Sequence, residues 1–283
     1  MTQRTVIKSR PHGSSPHAVL QDVTPAAAGW EFVHFTVRRL AAGEQVPLHT
    51  RGEECAVVLL SGAAEVTIDR RAAPPLGPRK SVFDSYPHAL YLPDGHEAVL
   101  HASEVTEIAE GRAPSTAALE PRLVTPADCG FEIRGGGNAT RQIVDILPPA
   151  FPADRLLICE VFTPGGNWSS YPPHKHDVDN PPTEVDLEEI YYYRMKQPDG
   201  YGFQRLYTLD GNRDETVRVE DGDVVLVRDG YHPYVSAYGI DSYYLNVLAG
   251  SRRSMAASDD PRYAAVRTSW PAPDPRVPMI SRP

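Results

Sequence analysis

The residues best suited to chemistry lie in the segment Pro-Pro-His-Lys-His-Asp at positions 172–177. In an extended strand, residues two apart project from the same face, with their Cβ atoms about 6–7 Å apart. His174 and His176 are therefore predicted to face one point, while Lys175 points away. Two imidazoles with this spacing can form half of a metal site. The competing interpretation is a pair of partly exposed histidines at the end of a proline-rich loop.

Two further groups follow in an order that completes such a site. Glu188 and Glu189 precede the aromatic strand predicted at Ile190–Met195, and His232 follows a predicted strand and a glycine turn. Two histidines on one strand, a glutamate at the start of the next and a histidine after a later glycine turn resemble the ligand order of the cupin barrels. We take Glu189 as the ligand because it directly precedes the strand, as the ligating glutamate does in cupins.

The surrounding sequence predicts short strands rather than long helices. Proline makes up 28 of the 283 residues, about twice the usual share, and it interrupts both helices and interior sheet positions. We therefore predict an all-β fold of two similar barrel or sandwich units, with a few short helices at most. The predicted strands are Phe32–Val37, Cys55–Leu60, Ala64–Ile68, Ala89–Leu92, Gln142–Leu147, Leu156–Phe162, Ile190–Met195, Phe203–Leu209, Val224–Val227 and Tyr243–Leu248.

The sequence divides into four predicted regions. Residues 1–29 form an N-terminal segment, and 30–137 form a first unit with its connector. Residues 138–250 form the metal-binding unit, and 251–283 form a tail with an irregular end.

Charge and cysteine usage exclude several classes of protein. The chain has 28 Lys and Arg against 37 Asp and Glu, which gives a net charge of −9. That balance disfavours nucleic acid or an anionic membrane as the main partner, but it allows a small anionic substrate and a homo-oligomer. The three scattered cysteines form no disulfide framework. Because the first 13 residues also lack a secretory signal pattern, we predict a cytoplasmic protein.

The C-terminal half departs from the general cupin spacing and resembles a narrower family. Twelve residues separate His176 from Glu189, and only Tyr231 separates Gly230 from His232. The runs PPHKHD, LEEIYYYR, GFQRLYTLDG, DGDVVLVRDGYHP and SYYLNVLAG closely resemble the 5-deoxy-glucuronate isomerase family of bacterial inositol catabolism, which is related to the 5-keto-4-deoxyuronate isomerases. The resemblance covers about residues 30–250.

The resemblance implies a bicupin that converts 5-deoxy-D-glucuronate to 5-dehydro-2-deoxy-D-gluconate, an aldose–ketose isomerisation. It also implies one divalent metal ion in the C-terminal barrel. Three imidazoles and one carboxylate suit Zn, Mn, Fe, Ni or Co, and the ligand types do not choose among them. The alternatives are a metal-dependent dioxygenase on the same fold and a non-catalytic sugar-binding bicupin.

The general acid or base remains open between three candidates. Tyr191 and Tyr193 share the strand face of Glu189, and Glu188 lies beside it on the opposite face. The acidic loop 177–189 is expected to form either a solvated rim or a lid over the site. The candidate substrate-binding residues are Lys175, Gln204, Arg205, Tyr244 and Asn246.

The first unit resembles a degenerate copy of the second. His49 is followed by Arg51 where a second histidine would complete the pair, and His96 stands early in the later motif. One interpretation is a second metal site. We favour the other, a barrel retained for packing and for closing the pocket, because losing one of two paired imidazoles removes much of the chelation.

Overall fold

The computed structural model describes residues 5–9 and 17–282, which belong to two compact units. Unit C comprises Gly130–Asp145, Ile158–Met279 and the described part of Met1–Ser9. Unit N comprises the described part of Arg10–Cys129, together with Ile146–Leu157 and 280–282. Positions 1–4 and 10–13, part of the stretch in which the sequence shows no secretory signal pattern, lie outside the described residues.

The division of the chain differs from the predicted boundaries at the tail. Residues 251–279 belong to unit C rather than forming a separate tail. The reason is that Ser258–Asp259 forms a strand against His174–Lys175. The predicted irregular end is observed, since no helix or strand lies beyond residue 268 in the described chain.

Nearly all regular structure is β-structure, and the prediction of an all-β fold is confirmed. The helical exceptions are α1 (Pro25–Ala28) and one 3₁₀ turn at Ala264–Thr268. No helix among the described residues has the length and apolar character needed to cross a membrane. After β1 (Val6–Ile7) of unit C, the strands of unit N are β2 (Ala18–Val23), β3 (His34–Leu40), β4 (Gln45–His49), β5 (Glu53–Ile68), β6 (Arg71–Arg79), β7 (Ala89–Leu92), β8 (Glu97–Ala102), β9 (Thr106–Pro114) and β10 (Arg122–Val124).

The remaining strands build two sheets and a short ribbon, which belong to unit C except for the end of β12 and the first residue of β13. The larger sheet has the order β1-β19-β16-β21-β13-β12-β11, the smaller has the order β14-β20-β17-β18, and β15 pairs with β22. The strands are β11 (Gly130–Arg134), β12 (Arg141–Leu147), β13 (Leu157–Thr163), β14 (Trp168–Ser169), β15 (His174–Lys175), β16 (Leu187–Met195), β17 (Tyr201–Tyr207), β18 (Asp214–Glu220), β19 (Val224–Val227), β20 (Tyr234–Ser236), β21 (Ser242–Gly250) and β22 (Ser258–Asp259).

The two sheets of unit C share one core. Alternate residues of β16, including Tyr191 and Tyr193, turn one face towards Tyr244 of β21 and Val225 of β19. Leu206 and other residues of the smaller sheet complete the same cluster. The interior of unit C is therefore rich in tyrosine, a residue whose hydroxyl usually finds a hydrogen-bond partner when it is buried.

Unit N is organised around one long strand where the sequence predicted two. Strand β5 pairs with β7 and β9 through its first half and with β6 and β8 through its second half. Its register shifts near Gly62, whose φ is +90°. A Cβ atom at Gly62 would lie 2.5 Å from Thr106 Oγ1. The glycine thus marks a bulge that bends a continuous strand, rather than a turn between two strands.

Candidate metal centre

The histidine pair at 174 and 176 is placed by a short ribbon. Strand β15 pairs with β22, and the backbone N–H of Asp260 donates to Pro173 O at 2.8 Å. Beyond the strand, the N–H of Leu187 donates to His176 O at 2.9 Å. The chain is therefore held on both sides of the pair. Sequence reasoning missed this ribbon because β22 has no apolar alternation.

Glu189 and His232 are brought in by the larger sheet and by a glycine turn. The backbone of Glu189 lies between Val227 of β19 and Leu248 of β21, in the middle of the sheet. Gly230, just before His232, has a φ of +76°, and a Cβ there would lie 2.5 Å from the backbone oxygen of Tyr207. The turn that delivers His232 therefore requires glycine.

Three buried side chains converge on one point. His176, Glu189 and His232 offer ligand atoms that all lie within 4.8 Å of one another. Glu189 Oε2 is 2.9 Å from His176 Nε2 and 3.4 Å from His232 Nε2. His174 lies next to this set, because its ring centroid is 4.9 Å from that of His232 and 6.4 Å from that of His176. The structure thus groups three of the four predicted ligands tightly and places the fourth beside them.

The far side of each imidazole faces a backbone carbonyl. The Nδ1 atoms of His174, His176 and His232 lie 3.3, 3.0 and 3.0 Å from the oxygens of Pro172, Leu187 and Gly230, respectively. A carbonyl can only accept, so Nδ1 carries the proton and Nε2 is the metal-binding atom. His232 Nε2 is buried without a hydrogen-bond partner among the described residues. An orphaned lone pair beside a carboxylate fits a metal ligand.

Burial sets the protonation of the imidazoles. It lowers the pKa of both His174 and His232 to about 3, so these two rings are neutral near pH 7. Burial also acts to lower the pKa of His176, but the hydrogen bond to Glu189, the negative charge of Glu189 and the backbone hydrogen bond to Leu187 together outweigh it, and the net pKa is raised. Neutral imidazoles and a carboxylate form the donor set that binds divalent transition metals.

A chain of hydroxyl groups lies beside the cluster. The Tyr191 ring centroid is 5.9 Å from that of His232, and its hydroxyl is 2.8 Å from Ser170 Oγ. Ser170 Oγ is also 3.4 Å from the hydroxyl of Tyr244, which hydrogen-bonds to Ser169. Burial raises the pKa of Tyr191 and raises that of Tyr244 to about 12, so both remain protonated. The two serines were not singled out from the sequence, since nothing in their spacing marks them.

Gln204 and Asn246 support the site from within the core. Gln204 accepts from the hydroxyl of Tyr193 at 2.9 Å and donates to His232 O at 3.2 Å. The Asn246 amide donates to Ile190 O at 3.2 Å. Both predicted substrate-binding residues are thus engaged with the protein itself.

Three predicted site residues are not brought to the cluster. The Lys175 ammonium hydrogen-bonds to Asp177 and to Glu184, away from the histidines. Glu188 lies on the other face of β16, where its charge acts on Arg228. Arg205 also faces away from its neighbour Gln204, because alternate residues of a strand point to opposite faces. It forms a bidentate ion pair with Asp214 and lines a cavity of about 500 Å³ whose lining also includes Pro173 and Pro233.

The acidic loop 177–189 is tied down by its own carboxylates. Glu184 Oε1 accepts the N–H groups of Asp177 and Val178 at 2.9 and 3.1 Å. Asp177 Oδ2 in turn accepts the N–H of Gly230 at 2.7 Å, next to His232. The loop therefore helps to set the turn that carries a histidine of the cluster. Whether it also acts as a lid stays a prediction.

Unit N shows a different use of the corresponding residues. His96 Nδ1 is 2.7 Å from Asp69 Oδ2, and His49 Nδ1 is 3.9 Å from Glu97 Oε2. Within the described residues, the only group of three or more metal-type donors in mutual reach is the one in unit C.

An all-β chain with two strand-rich units and a His/Glu cluster inside one of them has the architecture of a bicupin. Comparison with known proteins gives a narrower assignment. The chain belongs to the KduI/IolB family, whose model matches residues 6–266.

Relatives and solved structures agree with that assignment. The chain is 42% identical to a 5-deoxy-glucuronate isomerase of Geobacillus kaustophilus, over 94% of this chain and 96% of the relative. It is similar to the crystal structure of an IolB-like protein from Salmonella typhimurium, with a TM-score of 0.88, 38% identity, and coverage of 93% and 99%. Oxalate decarboxylase of Bacillus subtilis shares the fold, with a TM-score of 0.61, 16% identity, and coverage of 92% and 80%.

Proposed function

We propose that this protein is a metal-dependent 5-deoxy-glucuronate isomerase that makes 5-dehydro-2-deoxy-D-gluconate, with its reaction centre inside unit C. The observation that carries the proposal is the convergence of His176, Glu189 and His232 on one point. Relatives that carry this name match nearly the full length of the chain, which supports the same substrate.

The donor set fits a divalent metal ion held by His176, Glu189 and His232, with His174 as the fourth ligand. The orphaned Nε2 of His232 supports this assignment because it leaves a buried lone pair for the ion. When bound, a divalent ion supplies Lewis-acid polarisation of the sugar carbonyl and stabilises the oxyanion that develops during isomerisation.

The protein groups then have to move a proton between neighbouring carbons of the sugar. Of the three candidates, Glu188 lies on the wrong face, and the Tyr193 hydroxyl is engaged with Gln204. The Tyr191 hydroxyl remains, and the Ser170 and Tyr244 hydroxyls extend it into a hydrogen-bonded chain. We assign Tyr191, protonated at rest, as the acid that donates its proton to the oxyanion developing on the sugar and takes it back when the ketose carbonyl forms, with the Ser170 and Tyr244 hydroxyls hydrogen-bonded behind it.

The test combines metal analysis with a direct assay. Purified protein loaded with each of Zn, Mn, Fe, Ni and Co in turn is incubated with 5-deoxy-D-glucuronate, and the ketose product is followed by NMR. The proposal expects turnover with at least one metal. His232→Gln is expected to lose bound metal and to lower kcat/KM by roughly 100-fold or more, because an open coordination site replaces a ligand.

His96→Gln is the matched control, since His96 is bonded to Asp69 and is remote in sequence from the cluster. It should keep both metal and turnover. Full activity of metal-free protein would contradict the metal dependence. Absence of turnover with every metal, in protein that binds metal, would contradict the proposed reaction.

A further inference from the structure

Arg141 is a buried cation in unit C with no anionic partner among the residues that the structure describes. It lies on β12, with only 3% of its surface exposed. Its Nη1 donates to the backbone oxygens of Ala139 and Tyr171 at 3.1 and 2.9 Å. Arg141 forms no ion pair within the described residues. Burying an unpaired guanidinium is costly, so a feature of this kind calls for an explanation.

Other arginines of unit C each bind a protein carboxylate, the kind of partner that Arg141 lacks among the described residues. In a guanidinium, Nε and Nη2 form the edge that binds a carboxylate with two parallel hydrogen bonds. In Arg205 this edge is closed by Asp214, at 2.7 Å for both bonds. The same edge is closed by a protein carboxylate in Arg134, Arg262, Arg267 and Arg276.

In Arg141 that edge is open. Its Nε and Nη2 make no hydrogen bond with the described residues, and neither atom belongs to the fully enclosed polar atoms that lack a partner. Solvent therefore reaches both atoms, although the side chain as a whole is buried. The open edge thus faces a space that a ligand atom can enter.

The open edge lies on the face of the sheet that carries the candidate metal centre. Ile143, two residues along β12, packs in the same core as Tyr191 and Tyr244, so alternation puts Arg141 on that face as well. The positive charge of Arg141 contributes to lowering the pKa of His174 and opposes the rise that burial causes in the pKa of Tyr244. In addition, its bond to Tyr171 O attaches it to the chain three residues before His174.

The surrounding charges do not compensate Arg141. The groups that act on it are Tyr244, Arg134, Arg267 and Glu132. Glu132 is already paired with Arg134, and Arg267 is paired with Asp259. Because Glu132 and Arg267 are already in ion pairs and Tyr244 is neutral, the positive charge of Arg141 is not balanced. Burial lowers the pKa of Arg141 only to about 10, so the side chain stays charged near pH 7.

We propose that Arg141 binds the carboxylate of the sugar acid substrate through its Nε–Nη2 edge. This inference rests on the proposed function for the identity of the substrate. The predicted cationic contacts, Lys175 and Arg205, are both engaged with acidic side chains. In the described part of the chain, the carboxylate-binding edge of Arg141 makes no hydrogen bond. It therefore fixes which end of the sugar faces the metal and which end faces the guanidinium.

The test compares two sugars that differ in the carboxylate. D-Glucuronate and D-xylose share the same ring hydroxyl pattern, but D-xylose lacks the carboxylate carbon. Binding of each to metal-loaded protein is measured by titration NMR. Arg141→Gln is expected to weaken D-glucuronate binding by roughly 30-fold or more, as for loss of a buried charge pair. D-Xylose binding and the bound metal per chain should stay unchanged.

Arg276→Gln is the matched control, because the Nε–Nη2 edge of Arg276 is already bound by Asp274 and Arg276 is not among the groups that act on Arg141. It should leave both affinities unchanged. An Arg141→Gln protein that binds D-glucuronate like the original would overturn the proposal. Loss of bound metal or of D-xylose binding in that variant would also overturn it, since Arg141 would then only support the chain before His174.

Arg141→Lys decides the question if the glutamine variant does not fold. It keeps the charge without the planar edge, so we expect an affinity for D-glucuronate between those of the original and of D-xylose. No preference for D-glucuronate over D-xylose in the lysine variant would reject the carboxylate role. Failure of the proposed function looks different: the original protein would not isomerise 5-deoxy-D-glucuronate, yet its Arg141-dependent preference for D-glucuronate would remain.

Discussion

The two units each bury a glutamate near the start of a long strand, and they use it in opposite ways. In unit C, Glu189 faces two imidazole nitrogens. In unit N, Glu54 accepts the backbone N–H groups of Asp154, Arg155 and Leu156 at 2.9, 2.7 and 2.6 Å. It also accepts the Tyr91 hydroxyl at 2.6 Å. Both carboxylates are almost fully enclosed.

The difference is whether the groups that donate hydrogen bonds to each carboxylate can lose their protons. Backbone N–H groups and a tyrosine hydroxyl never give up their protons here, since burial and Glu54 raise the pKa of Tyr91. Glu54 is therefore saturated and acts as an internal cap for the segment 154–156. An imidazole can instead present a lone pair, so Glu189 and its neighbours can exchange protons for a cation. The sequence position is similar, but only one of the two carboxylates is available for chemistry.

The largest expected effect comes from Glu189→Gln. The variant removes the only negative charge of the three-residue cluster, so bound metal should fall to near zero and turnover should drop by roughly 100-fold or more. The free energy of unfolding of the metal-free protein should change little, because a buried charge is removed together with its desolvation cost. Elemental analysis and denaturant unfolding measure the two quantities.

Glu188→Gln is the control for this experiment, since Glu188 lies on the opposite face of β16. It should retain metal and activity. A Glu189→Gln protein with a full complement of metal would show that the two buried glutamates do not differ as described.

Glu54→Gln should destabilise the fold without affecting metal binding, which is the reverse of the effect expected for Glu189→Gln. A glutamine cannot accept four hydrogen bonds through two oxygens, and its NH₂ group would face donors. We expect a loss of about 3 kcal/mol or more in the free energy of unfolding, since buried backbone donors are left without partners. The amount of bound metal per chain and the turnover rate at saturating metal should be unchanged.

Glu53→Gln serves as the comparison, because Glu53 is half-exposed and pairs with Arg112. It should cost about 1 kcal/mol or less. The distinction between the units would fail if Glu54→Gln lost metal, or if it unfolded at the same denaturant concentration as the original.

The sequence predicts the strands and the buried side of the site better than it predicts the ends of strands or the surface charges. Ala89–Leu92 and Val224–Val227 are observed with the predicted bounds, because short apolar runs between glycine and proline have few alternatives. The continuity of β5 through Gly62 was missed. A glycine between two apolar runs indicates a turn as readily as a bulge, and the close approach to Thr106 that decides the matter is a long-range contact.

The roles of the charged side chains were also harder to predict, because they depend on contacts between residues that are distant in the sequence. Lys175 and Arg205 were chosen because they are cations near the predicted site, but their partners, Glu184 and Asp214, are nine residues away along the chain. Arg141 lies more than thirty positions from His174, next to a glycine-rich stretch, and it was not singled out. An unpaired charge is a property of all its spatial neighbours together, so only the folded structure reveals it.

A matched pair of tyrosine variants gives the smallest and most selective effect. Tyr91 and Tyr193 are both buried and both donate a hydroxyl hydrogen bond, to Glu54 in unit N and to Gln204 in unit C. Each Tyr→Phe change should cost about 1–2 kcal/mol in the free energy of unfolding, because one buried acceptor loses a donor. Only Tyr193→Phe should also weaken metal binding, by about 10-fold, as expected when a residue that orients a ligand is altered.

The physical reason is that Gln204, which accepts the Tyr193 hydroxyl, also donates a hydrogen bond to the backbone oxygen of His232. Without the tyrosine hydroxyl, the Gln204 amide is free to rotate, and the carbonyl of His232 loses its fixed donor. Metal dissociation constants from competition with a chromophoric chelator, measured beside denaturant unfolding, separate the two effects. Equal metal affinities in Tyr91→Phe and Tyr193→Phe would show that the hydrogen bond from Tyr193 to Gln204 contributes to folding alone. The two units would then differ in the role of their buried glutamates but not in the role of these two tyrosines.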